Sequence, residues 1–182
     1  EPFIPLGLNA FTWIKEPRRF EALAGMVRKL AGAGGNFIRL RADSWWWSFE
    51  GPPREELGLE GLGRYHQPTC FEVDEILGLC HRLGVCVMLC LYNANASVNI
   101  GRPEHLRKRW LLWSPFAKKW GGPCERPEEF WTNEEARWAV RNKIRYAVAR
   151  WGTFPSLAIW EFWNEVWVDE RNVKRVASWH EE

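Results

Sequence analysis

Two periods of apolar spacing alternate along the chain. Phe3-Ile4-Pro5-Leu6-Gly7-Leu8-Asn9 reads as a strand. Pro17 stands where a helix can begin. Phe20, Leu23, Ala24, Val27, Leu30 and Ala31 then recur at helical spacing until Gly32, Gly34 and Gly35 end it. Asn36-Phe37-Ile38-Arg39-Leu40 is a second strand. A long Trp-, Gly- and Pro-rich segment runs from Asp43 to about Pro68. Thr69-Cys70-Phe71-Glu72 has the T-x-x-E form of a capping box, and Val73, Ile76, Leu77, Cys80 and Leu83 line one face of the helix after it, up to Gly84. Val85 to Tyr92 is an almost unbroken apolar run, a third strand. Another long loop covers Asn93 to Trp131. Thr132-Asn133-Glu134-Glu135 is a second T-x-x-E box, opening a helix that buries Ala136, Val140, Ile144, Ala147 and Val148 and stops near Gly152. Leu157-Ala158-Ile159-Trp160 is the fourth strand. Asp169 is placed to cap a last helix with Val173, Val176 and Ala177 on its buried side.

The order β-α-β-α-β-α-β-α predicts an α/β fold with a parallel sheet and right-handed crossovers. Strands this apolar are expected to be covered on both faces. The connections after the second and third strands are long, and those after the helices are short. In a barrel, that asymmetry puts the elaborated loops on the catalytic face. A doubly wound sheet needs a Gly-rich phosphate loop after the first strand, and Asn9-Ala10-Phe11-Thr12-Trp13 is no such loop.

Composition narrows the function. The chain has 182 residues, enough for one domain spanning 1–182, and a net charge of +2, which argues for neither nucleic acid nor an acidic surface. No apolar run approaches the roughly 20 residues that span a bilayer, and Glu1-Pro2-Phe3 does not open like a signal peptide. Fourteen tryptophans exceed what a core needs, which points to aromatic platforms on which sugar C–H faces stack. About half of them are expected to pack helices on the sheet. Cysteines stand at 70, 80, 86, 90 and 124 without a CxxC, so neither a zinc site nor a redox motif is indicated. Cys80, Cys86 and Cys90 read as small buried hydrophobes, while a bridge between Cys70 and Cys124 is left open.

The candidate chemistry lies in Trp160-Glu161-Phe162-Trp163-Asn164-Glu165-Val166. A buried strand there emerges with a carboxamide and a carboxylate side by side, and the C-terminal ends of barrel strands are where such barrels react. Together with Gly7-Leu8-Asn9, with Asn36-Phe37-Ile38-Arg39-Leu40 as an N-x-x-R-x strand, and with Phe130-Trp131-Thr132-Asn133-Glu134-Glu135-Ala136-Arg137 leading to Arg145-Tyr146 and Arg150-Trp151, this W-E-x-x-N-E stretch resembles the retaining glycoside hydrolases of clan A, near the cellulases and β-mannanases of family 5. The similarity runs over essentially the whole chain and is weakest in the loops after strands two and three.

The resemblance implies the N-terminal half of a (β/α)8 barrel that hydrolyses β-linked glycans with retention. Glu165 is then the general acid/base, Asn164 the partner of the sugar 2-hydroxyl, and Arg39 the group that keeps the nucleophile ionised. Asn93 and Trp13 are candidates for the subsite that grips the sugar. Trp45, Trp46 and Trp47 are candidates for a stacking platform, with one or two of them turned into the loop's own core. Glu161 is expected to pair with an arginine. Four strand residues from Glu165 span about 13 Å, against roughly 5–5.5 Å for a retaining pair, so Glu161 is not read as the second carboxylate. No metal or organic cofactor is implied. The partner is a polysaccharide or oligosaccharide, not nucleic acid or a membrane, and substrates of that size imply an extracellular location. The family's nucleophile stands at the seventh strand and this chain ends after the fourth, so the missing C-terminal half is a further expected partner and the chain alone is expected to be inactive. Two alternatives remain: a carbohydrate-binding barrel without catalysis, and a half-barrel that assembles with another chain.

Overall fold

The computed structural model describes residues 2–10, 18–44, 47–93, 110–166 and 173–178. The expected helix start at Pro17 and cap at Asp169 lie outside the described residues. Strand β1 is Gly7–Ala10, helix α1 Arg19–Gly32, β2 Phe37–Arg41, β3 Asp43–Ser44 and β4 Trp47–Ser48. Helix α2 is Gln67–Arg82, β5 Cys86–Asn93, α3 Glu134–Trp151, β6 Leu157–Asn164 and α4 Val173–Ser178.

The main sheet has the order β1-β2-β5-β6. Its β1–β2 and β2–β5 pairs are parallel, in register from Gly7 opposite Phe37 and from Phe37 opposite Cys86. This is the α/β alternation of (β/α)8 barrels, about four units of it. A Cβ at Gly7 would meet the Phe37 carbonyl oxygen at 1.6 Å, so β1 reaches β2 only because that residue is glycine. The first strand starts later than its apolar run suggests. Pro5 has no N–H to give to a ladder. The Asn36 side chain binds the backbone on either side of it instead, accepting Leu6 N–H at 2.8 Å and donating to the Ile4 carbonyl at 3.0 Å.

Burial alternates along β2 and over the first four residues of β5. Ile38, Leu40, Val87 and Leu89 are fully buried on one face, whereas Phe37, Arg39, Arg41, Cys86 and Met88 on the other are only half-buried. Among the described residues, coverage of both faces is therefore found only in the second half of β5, where Cys90, Leu91, Tyr92 and Asn93 are all buried. Helices α1 and α2 bury the stripes Leu23, Ala24, Val27 and Val73, Ile76, Leu77, Cys80, while Leu83, expected on the second stripe, is exposed. In α4, Val173 and Ala177 are exposed rather than buried.

Neither T-x-x-E box caps as expected. Pro68, in the first turn of α2, lets that helix begin before Thr69, with His66 at its N-cap and no side-chain cap. Thr69 and Glu72 are taken by Arg19, whose Nη2 donates to Thr69 Oγ1 at 3.2 Å and whose Nε donates to Glu72 Oε2 at 3.1 Å. At α3, the cap is Asn133, one residue later than Thr132: its Oδ1 accepts Ala136 N–H at 3.0 Å. The buried stripe of α3 also differs from its pattern. Ala136, Val140 and Ala147 are buried, Ile144 is half-buried, Val148 is exposed, and Lys143 lies inside.

The chain divides into two compact units. One comprises Glu1–Phe49, His66–Tyr92 and Tyr146–Phe162, and the other Glu50–Tyr65, Asn93–Arg145 and Trp163–Glu182. All five cysteines are free, so the question left open for Cys70 and Cys124 resolves to two separate thiols.

Candidate functional site

Strand β6 runs past Trp160 to Asn164, and Glu165 is the next residue; expected as a buried strand, it is half-buried or exposed along its length except at Asn164. Asn164 is buried. Its Nδ2 donates to Asn93 Oδ1 at 3.3 Å, and Asn93, the last residue of β5, is buried too. Two strand ends thus hold each other by their carboxamides, which orients the Asn164 amide. Glu165 then turns out with φ 56° and is exposed. A non-glycine residue in that left-handed region costs on the order of 1–3 kcal/mol and persists where the surroundings over-determine it, which happens often at sites of chemistry. Trp163 packs against Phe130 and Trp131, each with ring centroids 5.6 Å away, and Phe130 meets Phe116 edge-on at 4.8 Å. Phe130 and Trp131 come from the 3-10 turn Pro127–Trp131 in the long loop after β5. Asn93, Asn164, Glu165 and this aromatic cluster belong to one unit.

Arg39 and Glu161 belong to the other. Arg39 Nε donates to Glu161 Oε2 at 2.6 Å and Nη2 donates to Oε1 at 2.5 Å, a two-pronged pair. Arg39 Nη1 donates to Asn9 Oδ1 at 3.0 Å. Glu161 therefore has the arginine partner expected of it, and Asn9 joins the pair from β1. The register explains the meeting: Asn9 stands opposite Arg39 in the parallel ladder, so both side chains leave the same face. Trp47, of the Trp triplet, turns inward, donating from Nε1 to Glu72 Oε2 at 2.6 Å. Trp13, Trp45 and Trp46 lie outside the described residues. Among the described residues no cluster of His, Cys, Asp and Glu could hold a metal ion, and no helix is long and apolar enough to cross a membrane.

No family model matches the sequence, and no curated protein matches it either. Solved structures do. An exo-β-1,4-mannosidase from Opitutaceae bacterium strain TAV5 superposes with a TM-score of 0.64 at 14% identity, over 97% of this chain and 28% of that one. The fold is shared with glycoside hydrolases. The endo-1,4-β-mannanase of Rhizomucor miehei gives a TM-score of 0.59 at 13% identity, over 98% of this chain and 51% of that one. The endo-1,4-β-D-mannanase of Thermotoga petrophila gives 0.57 at 12%, over 97% and 49%. The chain thus spans between 28% and 51% of the length of these barrel enzymes.

One polar pair escaped the sequence reading. Lys143 Nζ lies 3.4 Å from Glu50 Oε2 with both side chains buried, and Glu50 Oε1 accepts Gly63 N–H at 2.8 Å. The signal was there: Lys143 falls three residues after Val140 and four before Ala147, in the middle of an apolar stripe. A cation at such a position implies a buried anion, though not which one.

Proposed function

We propose that this chain supplies the acid/base side of a retaining β-glycosidase acting on mannan- or cellulose-like β-linked glycans. The observation that carries the reading is the end of β6, where a buried, Asn93-oriented Asn164 is followed at once by an exposed Glu165 in a left-handed turn. Glu165 protonates the leaving oxygen as the glycosidic bond breaks, then takes a proton from the water that releases the sugar from the enzyme. Asn164 binds the sugar 2-hydroxyl, a contact that tightens as positive charge develops at the ring. Asn93 positions Asn164 and borders the same subsite. Arg39, held by Glu161 and Asn9, keeps the nucleophile ionised. Trp13 is assigned to the subsite that grips the sugar, and Trp45 and Trp46 to stacking against it. The nucleophile itself comes from polypeptide beyond these four βα units, and the 182-residue chain alone does not turn over substrate. A polymeric substrate places the protein outside the cell.

The test is Glu165→Ala in a polypeptide that carries the remaining units. Glycosides with poor leaving groups need the proton and should slow by roughly 10²–10⁴. Activated aryl glycosides should retain a fast first step, accumulate the covalent intermediate, and regain turnover on addition of azide, which attacks without a base. Equal loss across leaving groups with no azide rescue would leave Glu165 a structural carboxylate.

A further inference from the structure

The left-handed turn at Glu165 has a second support besides Asn164. Trp163 and Asn164 are consecutive residues at the end of β6, so their side chains leave opposite faces of the strand. On one face Asn164 is tied to Asn93. On the other, Trp163 meets Phe130 edge-on at 5.6 Å, with the ring planes at 87°, and meets Trp131 at 5.6 Å with a tilt of 56°. Phe130 and Trp131 are buried and stand edge-on to each other at 5.1 Å, whereas Trp163 is half-buried. Their own placement is fixed. They end the turn Pro127–Trp131, and Asn133 at the cap of α3 donates its backbone N–H to the Glu129 carbonyl at 2.8 Å and Nδ2 to the Pro123 carbonyl at 3.3 Å. All of these residues lie in one compact unit with Glu165.

We infer that Trp163 is a positioning residue for Glu165. A residue with a side chain leaves the left-handed region when the peptide ahead of it is free to turn. Here the two residues ahead are pinned on opposite faces, so that peptide is held and the Glu165 φ of 56° persists. The carboxylate then leaves the strand in one direction. This role rests on Glu165 being the acid/base, and it adds that the loop after β5 aims the carboxylate through the Trp163 ring. A proton donor must lie within hydrogen-bond reach of the leaving oxygen.

Trp163→Ala and Trp163→Phe are made in a polypeptide that carries the remaining units, with Glu165→Ala alongside. On a glycoside with a poor leaving group, Trp163→Ala should lower kcat by about 10²-fold, the cost of a misplacement of roughly 1 Å, while KM is unchanged. The burst of aglycone released from an activated aryl glycoside, which needs no proton, should persist. Trp163→Phe keeps a ring against Phe130 and should recover most of the kcat. Trp138→Ala, at a tryptophan of the same unit that is 64% exposed, should change neither rate. Trp163→Leu carries the same test if the alanine variant does not fold. An equal loss on both substrates, no loss at all, or a phenylalanine variant no better than alanine overturns the inference. If Glu165→Ala shows the leaving-group contrast and Trp163→Ala does not, the inference falls alone. If Glu165→Ala lacks that contrast, the acid/base assignment falls and this role with it.

Discussion

The two compact units differ in how deeply each buries its most enclosed ion pair. In the sheet-bearing unit that pair is Arg19 with Glu72, 3% and 16% exposed, and the others are half-buried. Arg39 and Glu161 are 20% and 22% exposed, and Arg150 and Asp74 are 27% and 24% exposed. In the loop-built unit Lys143 and Glu50 are 1% and 0% exposed, whereas pairs such as Lys118 with Glu125 lie on the surface. The sheet-bearing unit has apolar alternation and helix stripes to bury, and each of its ion pairs keeps at least one partner within reach of water. The other unit is assembled from segments that follow strands and lack strand or helix periodicity over most of their length. It gathers them around a few specific contacts: a buried lysine–glutamate pair, an asparagine pair, and the edge-on cluster of Phe116, Phe130, Trp131 and Trp163. A unit of that kind depends more on each contact, because a buried charge left alone is costly.

Alkaline titration should give the largest effect. Burial pushes the Cys80 and Cys90 thiols in the sheet-bearing unit and Cys124 in the other up to about 12, against 9.0 for an ordinary thiol; Cys86 adds to the shift at Cys80, Glu161 at Cys90 and Glu129 at Cys124. The unfolded chain releases these protons from pH 9.0 upward and the folded chain holds them to about 12. Their contribution is therefore whole below pH 9 and lost as pH rises through 12, by roughly 4 kcal/mol for each thiol at the upper limit. Urea midpoints measured from pH 8 to 12 should fall. Cys124→Ala should flatten the fall for probes of the loop-built unit, and Cys80→Ala with Cys90→Ala for probes of the other. Midpoints that do not change above pH 9 would contradict the burial of these thiols.

Lys143→Met should come next, costing about 3–5 kcal/mol by leaving Glu50 buried without its cation. The double variant Glu50→Gln/Lys143→Met, which keeps an acceptor for Gly63 N–H, should recover most of the loss in urea denaturation. If the single variant costs no more than a surface substitution, the contrast between the units fails.

Asp74→Ala probes the half-buried kind of pair. It removes two bonds from Arg150, at 3.0 and 2.8 Å, and one from Trp151 Nε1 at 2.7 Å. A cost of about 2 kcal/mol is expected, with Trp151 fluorescence reporting the loss. A cost above that of Lys143→Met would invert the comparison. The smallest effect is Asn133→Ala, about 1 kcal/mol of α3 stability from the lost cap. Thr132→Ala should cost a small fraction of that, and the reverse order in thermal melts would return the cap to Thr132.

Much of the framework is local chemistry and could be read without coordinates. The order of the main-sheet strands and the helices, the parallel sheet, most of the stripes of α1 and α2, and the placing of Asn164 and Glu165 at a strand end follow from spacing, because strand and helix each impose their own period on neighbouring residues, whereas the short β3–β4 pair carries no such period. The pairing of Glu161 with an arginine was legible for a related reason: a carboxylate within an apolar strand needs a cation. What the tertiary structure alone decided was the identity of partners distant in sequence. Thr69 and Glu72 have the form of a cap, but Arg19 and Trp47 take them. Lys143 could have faced water, but Glu50 draws it inside. Asn93 and Asn164 end separate strands, and only the sheet order β5-β6 brings their carboxamides together. A side chain's period is a property of its own segment, whereas its hydrogen-bond partner is chosen by which segments the folded chain packs side by side.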